Sequence, residues 1–265
     1  MSRPKQNLQR LKQTKTENRR FATLTAYDAT FARIADEAEV ECLLVGDSLG
    51  NVIQGQRSTV PVTMEHMVYH TECVARGVDH AFVMTDMPFM SYSTPDQAIR
   101  NATTLMQAGA QMVKLEGQQW LTETLAFMNE RGVPLCAHLG LLPQSVDKVG
   151  GYRVHGKTEA SAKQILDDAK AFEEAGADLL LLECVPAALA KRVTEAAGVP
   201  VIGIGAGADT DSQVLVLQDL LGISQRMPSF AKNYMAESDS IASAIRQFVV
   251  DVHAGTFPDA NYCIA

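Results

Sequence analysis

The sequence predicts an α/β barrel, and three observations support this prediction. Eight short apolar runs rich in Val, Leu and Ile recur along the chain, and segments of helical period separate them. Strands that alternate with helices form parallel sheets with the helices outside. The 265 residues suit the roughly 250 of one (βα)8 barrel. We therefore expect residues 1–265 to form a single TIM-barrel domain that starts with a basic helical segment at about residues 1–20.

The apolar runs give the positions of the expected strands. These are residues 21–28, 42–47, 81–86, 111–116, 134–140, 179–183, 200–207 and 220–224. Between the fifth and the sixth, residues 161–176 have the period of a helix and end at Gly176, a typical helix stop. Residues 108–116 and 175–183 share one plan, a helix stop followed by a strand that ends in Glu, as expected for two βα units.

Composition narrows the class of protein. The chain is 46% hydrophobic and 20% charged, with five cysteines that show no CxxC spacing, which is typical of a globular protein in a reducing compartment. Residues 1–20 contain seven Lys and Arg and one Glu, whereas the rest contains 16 basic and 30 acidic side chains. We expect a cytoplasmic protein without a nucleic-acid partner, and no apolar run approaches the roughly 20 residues of a membrane span.

Five of the expected strands finish with an ionisable side chain. These residues are Asp47, Asp86, Glu116, His138 and Glu183. In a barrel of parallel strands the carboxyl ends form one mouth, where the active site lies. Because side chains alternate along a strand, Lys114 lies on the same face as Glu116. Any one of these residues alone is as readily a helix cap, a surface group or a core side chain, so the prediction of an active site rests on the joint pattern.

Several acids in one low-dielectric mouth repel each other unless a cation compensates them. Oxygen ligands without a set of Cys or His favour Mg²⁺ over Zn²⁺. A metal of this kind could chelate a 2-oxo acid through its carbonyl and carboxylate oxygens and make the neighbouring C–H acidic enough for a carboxylate base. The residues therefore predict metal-assisted enolisation, without assigning separate duties to the individual acids.

Two glycine-containing segments have simpler interpretations than binding motifs. IGIGAGAD (202–209) follows the seventh apolar run and lacks the spacing of a dinucleotide fingerprint, so we expect close packing and a tight turn there. GGYRVHGK (150–157) suits either a surface loop or a lid over the substrate.

Several strings together resemble the ketopantoate hydroxymethyltransferase family from about Leu8 to Pro258, in the family's order and spacing. They are VGDSLG (45–50), TVPVTMEHMVYHT (59–71), DMPFMSY (86–92), VKLEG (113–117), HLGLLPQSV (138–146), LLLLECVP (179–186) and IGIGAG (202–207). The resemblance implies that 3-methyl-2-oxobutanoate reacts with methylene-tetrahydrofolate and water to give 2-dehydropantoate and tetrahydrofolate. It also implies a barrel of the phosphoenolpyruvate/pyruvate type, Mg²⁺ and a homodecamer.

The resemblance also divides the duties among the side chains. Asp47 and Asp86 resemble the direct metal ligands, Glu116 completes the metal site through water, and Glu183 resembles the base that removes the C3 proton. The residues that resemble substrate-holding groups are Asp47, Ser48, Asp86, Lys114 and His138. It does not locate the folate, for which Arg153, Lys157 or the basic first segment are the suggestions from charge.

This chain departs from the family's usual strings at Gln118, Ala137, Leu142, Ser212 and Gln218. None of these positions is a proposed ligand or base, so the departures bear on folate-side or interface details. Two alternatives remain open from the residues. One is a lyase or mutase of the phosphoenolpyruvate and isocitrate lyase kind, although its KKCGH-type string is missing here; the other is a non-catalytic barrel that binds a metal or an oxo acid.

Overall fold

The computed structural model describes residues 3–151 and 153–264. Eight parallel strands pair in chain order, and the first also pairs with the last, so the sheet closes into a barrel. The strands are β1 (Phe21–Thr25), β2 (Cys42–Val45), β3 (Phe82–Asp86), β4 (Met112–Glu116), β5 (Leu135–Gly140), β6 (Leu179–Glu183), β7 (Val201–Ile204) and β8 (Ser212–Leu215). The predicted (βα)8 fold is therefore confirmed.

Helices surround the barrel and cover its amino end. They are α1 (Leu8–Thr16), α2 (Ala29–Glu37), α3 (Leu49–Val52), α4 (Met64–Arg76), α5 (Pro95–Gln107), α6 (Thr122–Asn129), α7 (Val146–Val149), α8 (Glu159–Glu174), α9 (Ala187–Ala196), α10 (Leu217–Leu220) and α11 (Ile241–Ala254). Short polar side chains start the long ones: Thr63, Thr158 and Ser240 each accept the N–H three residues later. In the described part of the chain no helix is long and apolar enough to span a bilayer.

The alternation of side chains along each strand separates two apolar cores. Every second side chain of a strand points outward and packs against the surrounding helices, as Val113 and Leu115 do in β4. The side chains between them point inward and fill the barrel, as Met112 does in β4 and Leu179 and Leu181 do in β6. The inward positions near the ends of β4 and β6 are Lys114, Glu116 and Glu183, so these side chains lie in the barrel mouth. The alternation along the strands therefore determines the position of the site.

The predicted position of the eighth strand is wrong. Residues 220–224 contain the end of α10 and a turn at Gly222, whose φ is +67°, whereas the strand that closes the barrel is Ser212–Leu215, paired with β1. Leu220 and Leu221 are buried because they pack in the outer core, so their apolar character indicates burial and not strand structure. The seventh strand also ends at Ile204, before the predicted 207.

At the amino ends of the strands, which we call the floor, α1 closes the barrel. Leu11 of α1 is fully buried against the inner core, a burial that contributes about 2 kcal/mol. Lys12 pairs with Asp178 at 2.5 Å, and Lys15 pairs with Asp211 at 2.8 Å. The basic charge of the first helix thus neutralises acidic groups at the floor.

Four floor side chains repeat one arrangement. The residue just before each even-numbered strand accepts the backbone N–H near the start of the preceding strand. The bonds run from Ala22 to Glu41 (2.9 Å), from Val83 to Gln111 (3.1 Å), from Leu135 to Asp178 (3.0 Å) and from Val201 to Asp211 (2.8 Å). Each carboxylate or amide therefore satisfies a buried strand-end donor that would otherwise lack a partner.

Candidate active site

All seven side chains predicted for the site line one cavity of about 1310 Å³ at the carboxyl ends of the strands, which we call the mouth. They are Asp47, Ser48, Asp86, Lys114, Glu116, His138 and Glu183. Asp86, Glu116 and Glu183 are the last residues of their strands. The structure therefore brings together residues from five consecutive strand ends, as the sequence pattern predicts.

One ion pair and one backbone bond connect the first three strand ends. The Lys114 Nζ lies 2.6 Å from Asp86 Oδ1, and both side chains are almost completely buried. Asp86 and Lys114 are register partners of neighbouring strands, which explains the short distance. Asp86 Oδ2 accepts the backbone N–H of Asp47 at 2.9 Å. Asp86 thus connects Asp47 on one side with Lys114 on the other.

The seven predicted side chains include four acids and one lysine, and burial and mutual repulsion shift pKa values within this group. Burial raises the pKa of Asp47 to about 8, with further contributions from Asp86 and Glu116. Burial likewise raises the pKa of Glu116 and of Glu183 to about 8. Burial lowers the pKa of Lys114, but Asp86, Glu116 and Asp47 outweigh this effect and raise it above its usual value. A single lysine does not compensate these acids, so a further cation fits the mouth.

The donor set fits a hard divalent ion. Within residues 3–151 and 153–264 no three His, Cys, Asp or Glu side chains converge as a ready metal-binding group. Mg²⁺ does not need such a group, because it takes one or two carboxylates and keeps several waters. Asp47 and Asp86 can supply these two carboxylates, and Glu116 lies close enough to Asp47 to raise its pKa.

His138 stands between two of the acids. Its Nδ1 lies 3.3 Å from Glu116 Oε2 and 3.4 Å from Lys114 Nζ, and its Nε2 lies 3.4 Å from Glu183 Oε2. Burial, with help from Lys114, holds the pKa of His138 well below its usual range, so the ring is neutral. Its buried Nε2 has no hydrogen-bond partner among the described residues and is available to a bound molecule.

Sequence analysis gave no role to Gln144, although the motif HLGLLPQSV includes it. Its Nε2 donates to Asp47 Oδ2 at 2.9 Å, and its backbone N–H donates to Glu116 Oε1 at 2.7 Å. Tyr92 donates to Gln144 Oε1 at 2.6 Å and so fixes the amide. Gln144 thus bridges two acids from different strands. Its partner Asp47 lies 97 positions away in the chain, so no local pattern announces the contact.

The backbone around Glu183 allows little freedom. The carbonyl of Glu183 accepts the N–H of Leu141 at 2.8 Å, and a Cβ added at Gly140 would lie 2.2 Å from that carbonyl oxygen. Cys184, which follows, adopts the left-handed region with φ +48°. Non-glycine residues in this region carry strain that the surrounding structure must hold. The packed backbone therefore fixes the direction of the Glu183 side chain.

The structure also shows the surroundings of Ser48 and of the two glycine-containing segments. Ser48 Oγ lies 2.9 Å from Tyr27 Oη. In 202–209, Gly207 has φ +79° and a Cβ on Gly203 would meet the Thr210 hydroxyl at 2.6 Å, which confirms close packing and tight turning. The 150–157 segment contains Tyr152, which lies outside the described residues, and both interpretations of this segment, a surface loop and a lid, stay predictions. His155 N–H donates to the Cys184 carbonyl at 2.9 Å.

Comparison with known proteins shows the family of the chain. The family model for ketopantoate hydroxymethyltransferase matches residues 5–260. A relative from Shewanella loihica named 3-methyl-2-oxobutanoate hydroxymethyltransferase is 58% identical over 249 residues, which are 94% of this chain and 94% of the relative. Relatives of this kind transfer a hydroxymethyl group, and the chain is a transferase like them.

Solved structures of more distant sequence share the barrel. A 2,3-dimethylmalate lyase of the PEP mutase/isocitrate lyase superfamily has a TM-score of 0.59 at 17% identity, covering 78% of this chain and 80% of its own. A phosphonopyruvate hydrolase complex with oxalate and Mg²⁺ has a TM-score of 0.63 at 14% identity, covering 96% and 92%. At this identity the likeness concerns the fold alone, which is the TIM barrel. From its sequence over nearly the whole length, the chain belongs to the ketopantoate hydroxymethyltransferase family.

Proposed function

We propose that this enzyme transfers a hydroxymethyl group from methylene-tetrahydrofolate to 3-methyl-2-oxobutanoate. The products are 2-dehydropantoate (ketopantoate) and tetrahydrofolate, in the first committed step towards pantothenate and coenzyme A. The observation that carries the proposal is the group of four carboxylates at one barrel mouth, three of them buried and the fourth, Glu183, 17% exposed, with a single lysine among them. Family membership supports the identity of the small oxo-acid substrate.

For the metal, we propose that Asp47 and Asp86 bind Mg²⁺ directly and that Glu116 binds it through water. The bound ion would polarise the keto oxygen and stabilise the negative charge that develops there. Support comes from the uncompensated acids of this mouth and from the phosphonopyruvate hydrolase of the same fold, which was solved with oxalate and Mg²⁺.

We propose that the oxo acid is bound by Ser48, Lys114 and His138, and also by Asp47 and Asp86. Lys114 offers its positive charge to the substrate's oxygens, and the neutral His138 offers the unpaired Nε2. Because Nε2 also faces Glu183, the histidine can orient the base and the substrate towards each other.

Glu183 is the proposed base. Its carboxylate removes the single C3 proton of 3-methyl-2-oxobutanoate, and the electron pair of the broken C–H bond forms the new C–C bond to the one-carbon unit. The two C–N bonds that join this unit to the folate break, water supplies the oxygen of the new hydroxyl group and a proton to each released folate nitrogen, and the C3 proton passes to the new hydroxyl oxygen. Burial raises the pKa of Glu183 to about 8, which suits a base because a proton acceptor works best when its pKa is near the operating pH. Gly140 and Cys184 keep this carboxylate directed at the cavity.

One assay tests the proposed function. The purified chain is incubated with Mg²⁺, 3-methyl-2-oxobutanoate and methylene-tetrahydrofolate, and 2-dehydropantoate is measured by mass spectrometry. We expect product that depends on all three additions. No product with fully folded protein would overturn the proposed reaction.

A pair of variants tests the metal ligands separately. Asp86→Asn should weaken Mg²⁺ binding measured by calorimetry, because it removes one of the two carboxylates. Asp178→Asn, a matched change at the floor, should leave Mg²⁺ affinity unchanged. Equal affinities for the Asp86 variant and the parent protein would remove Asp86 from the ligand set.

The assembly and the compartment rest on the family as well. We propose a homodecamer in the cytoplasm, with residues 1–265 acting as one barrel domain. Large apolar side chains are exposed on the surface and are available for subunit contacts, among them Tyr69 (64%), Trp120 (57%) and Met90 (57%). Light scattering should give about ten times the 28.7 kDa chain mass, and the mass of a single chain would contradict the decamer.

A further inference from the structure

The mouth cavity is larger than a small oxo acid requires. Its volume is about 1310 Å³, whereas pockets for drug-sized ligands are roughly 300–1,000 Å³. The seven side chains described above occupy its inner part. The outer part is bounded by two segments, 51–57 and 223–230. The outer part therefore has room for a second, longer molecule.

Both outer segments are held by hydrogen bonds within the chain. Gln56 N–H donates to the Gly50 carbonyl at 2.7 Å, and Asn51 Nδ2 donates to the Gln56 carbonyl at 3.1 Å. On the other side Ser224 Oγ donates to Asp219 Oδ1 at 2.5 Å. These bonds hold parts of both segments in place before a ligand arrives.

The chemistry of the outer part changes from the interior to the rim. Gln218 lines the cavity, and its Oε1 is buried without a hydrogen-bond partner among the described residues. Further out, Ile53 and Ile223 are 46% and 66% exposed, which is high for apolar side chains.

The outermost groups are two arginines. Arg57 and Arg226 line the same cavity and are exposed. In the part of the chain that the structure describes, neither guanidinium has an acidic or hydrogen-bond partner, although the protein has a net charge of −8. Cations without partners at the rim of an acidic protein attract an anionic ligand.

We propose that this outer part binds the folate co-substrate in an extended form, an inference that rests on the proposed function. The pterin, whose ring N–H and amino group are donors, faces Gln218 Oε1. The aminobenzoyl ring lies between Ile53 and Ile223. The glutamate carboxylates bind Arg57 and Arg226, since guanidinium groups pair well with carboxylates.

The other basic groups of the chain are less suitable. Arg153 and Lys157, which charge alone suggests, do not line the mouth cavity. Lys12 and Lys15 lie at the floor and already pair with carboxylates. These four residues thus do not border the mouth cavity, whereas Arg57 and Arg226 do.

Binding measurements on the full chain test the proposal. Calorimetry gives the Kd of tetrahydrofolate and of tetrahydropteroate, the same molecule without glutamate, for the parent chain, Arg57→Gln, Arg226→Gln and the double variant. We expect each single change to weaken tetrahydrofolate binding roughly fivefold and the double change roughly 20-fold, the size of a partly exposed charged contact. Tetrahydropteroate should bind all four proteins equally.

Controls separate this proposal from general damage. Arg100→Gln removes an exposed arginine of α5 that does not line the cavity, and it should leave both Kd values unchanged. Gln218→Leu should weaken both ligands alike, because both contain the pterin. The rim proposal is overturned if the parent chain does not bind tetrahydrofolate, if the double variant binds it as the parent does, or if the double variant loses both ligands equally.

The two proposals fail in different ways. If 2-dehydropantoate forms while the double variant keeps its tetrahydrofolate affinity, the rim assignment is wrong and the reaction stands. If the double variant loses affinity but the parent chain forms no product, the rim assignment stands and the reaction is wrong. Exchange of the C3 proton of the oxo acid with deuterium, which needs no folate, should be the same in the parent chain and the double variant.

Discussion

Strand β6 has a carboxylate at each end, and the two have opposite surroundings. At the floor, Asp178 accepts the Leu135 N–H at 3.0 Å and pairs with Lys12. At the mouth, Glu183 faces His138 Nε2 at 3.4 Å and has no hydrogen-bond donor among the described residues. The floor carboxylate satisfies a buried donor, whereas the mouth carboxylate faces the cavity without a donor among the described residues.

The same contrast holds for the whole barrel. Floor acceptors repeat the strand-end bond four times, and three of them also pair with Lys12, Lys15 or His253. At the mouth, burial raises the pKa of Asp47 and Glu183, and repulsion from the neighbouring acids raises it further. We therefore expect stability and function to separate along the barrel axis, as is typical of TIM barrels. Matched changes at the two ends can test this separation.

The largest effect is expected for Glu183→Gln. Replacing the proposed base should slow deuterium exchange at C3 of 3-methyl-2-oxobutanoate by roughly 10³-fold, within the usual range for a general base. The free energy of unfolding should stay equal or rise, because Gln has nearly the same size and cannot adopt the ionised form that burial disfavours at this position.

Asp178→Asn at the other end of the strand is the matched control for this change. It should keep the exchange rate and lose about 1–2 kcal/mol of stability, because its bond to Leu135 and its pair with Lys12 are weakened. Retained exchange in Glu183→Gln would exclude Glu183 as the base.

The next largest effect belongs to the floor. Asp36 is buried and accepts the N–H groups of Asp79, His80 and Ala81 at 2.9, 3.1 and 2.7 Å, just before β3. Asp36→Ala leaves these donors without a partner and should cost about 3 kcal/mol in urea unfolding.

Activity per folded molecule should not change in this variant. Asp167→Ala, on the exposed face of α8, is the control and should cost less than about 0.5 kcal/mol. A loss from Asp36→Ala as small as that of the control would contradict the stabilising role of the floor acids.

The contrast between the two ends also explains what sequence could predict. Strand periodicity and apolar runs identified the barrel, and the ionisable strand ends identified Asp86, Glu116 and Glu183, because both signals are local. The eighth strand was misplaced because Leu220 and Leu221 are apolar for packing against helices. The contacts of Gln144 and the position of Arg57 and Arg226 at the cavity were not predicted, since they depend on which distant segments face the cavity.

Two glutamines offer a closer comparison between mouth and floor. Gln144 holds Asp47 and Glu116, whereas Gln111 accepts the Val83 N–H at the start of β3. Gln144→Leu should weaken Mg²⁺ binding roughly 10- to 100-fold, the usual cost of losing a group that orients metal ligands. Calorimetry at fixed pH measures it.

The floor variant should behave in the opposite way. Gln111→Leu should lower the free energy of unfolding by about 1 kcal/mol and leave Mg²⁺ affinity intact. Tyr92→Phe, which releases the Gln144 amide without removing it, should fall between the parent chain and Gln144→Leu in Mg²⁺ affinity. If Gln144→Leu lost stability but not Mg²⁺ affinity, Gln144 would belong to the structural class of Gln111.

The smallest effect concerns pH at the floor. His253, in the last turn of α11, lies 2.7 Å from Glu41 Oε1. The bond to Glu41 and the nearby charges of Glu41 and Glu39 raise the pKa of His253, against burial and the charge of Arg19. Because the folded-state pKa lies above the unfolded value of about 6.5, the protonated ring stabilises the fold. This stabilisation is complete below the unfolded pKa and is lost as the pH rises through the folded pKa.

The side chain of His253 is 42% exposed, so solvent screening limits the gain to less than about 1 kcal/mol. His253→Gln should therefore unfold at lower urea than the parent chain near pH 5.5 and at the same urea near pH 9. An equal deficit at both pH values would mean that His253 contributes by packing and not by charge. Because the proton lies at the floor, the change should leave the pH profile of C3 exchange at the mouth unaltered, and a shifted profile would show that the two ends of the barrel are electrostatically coupled.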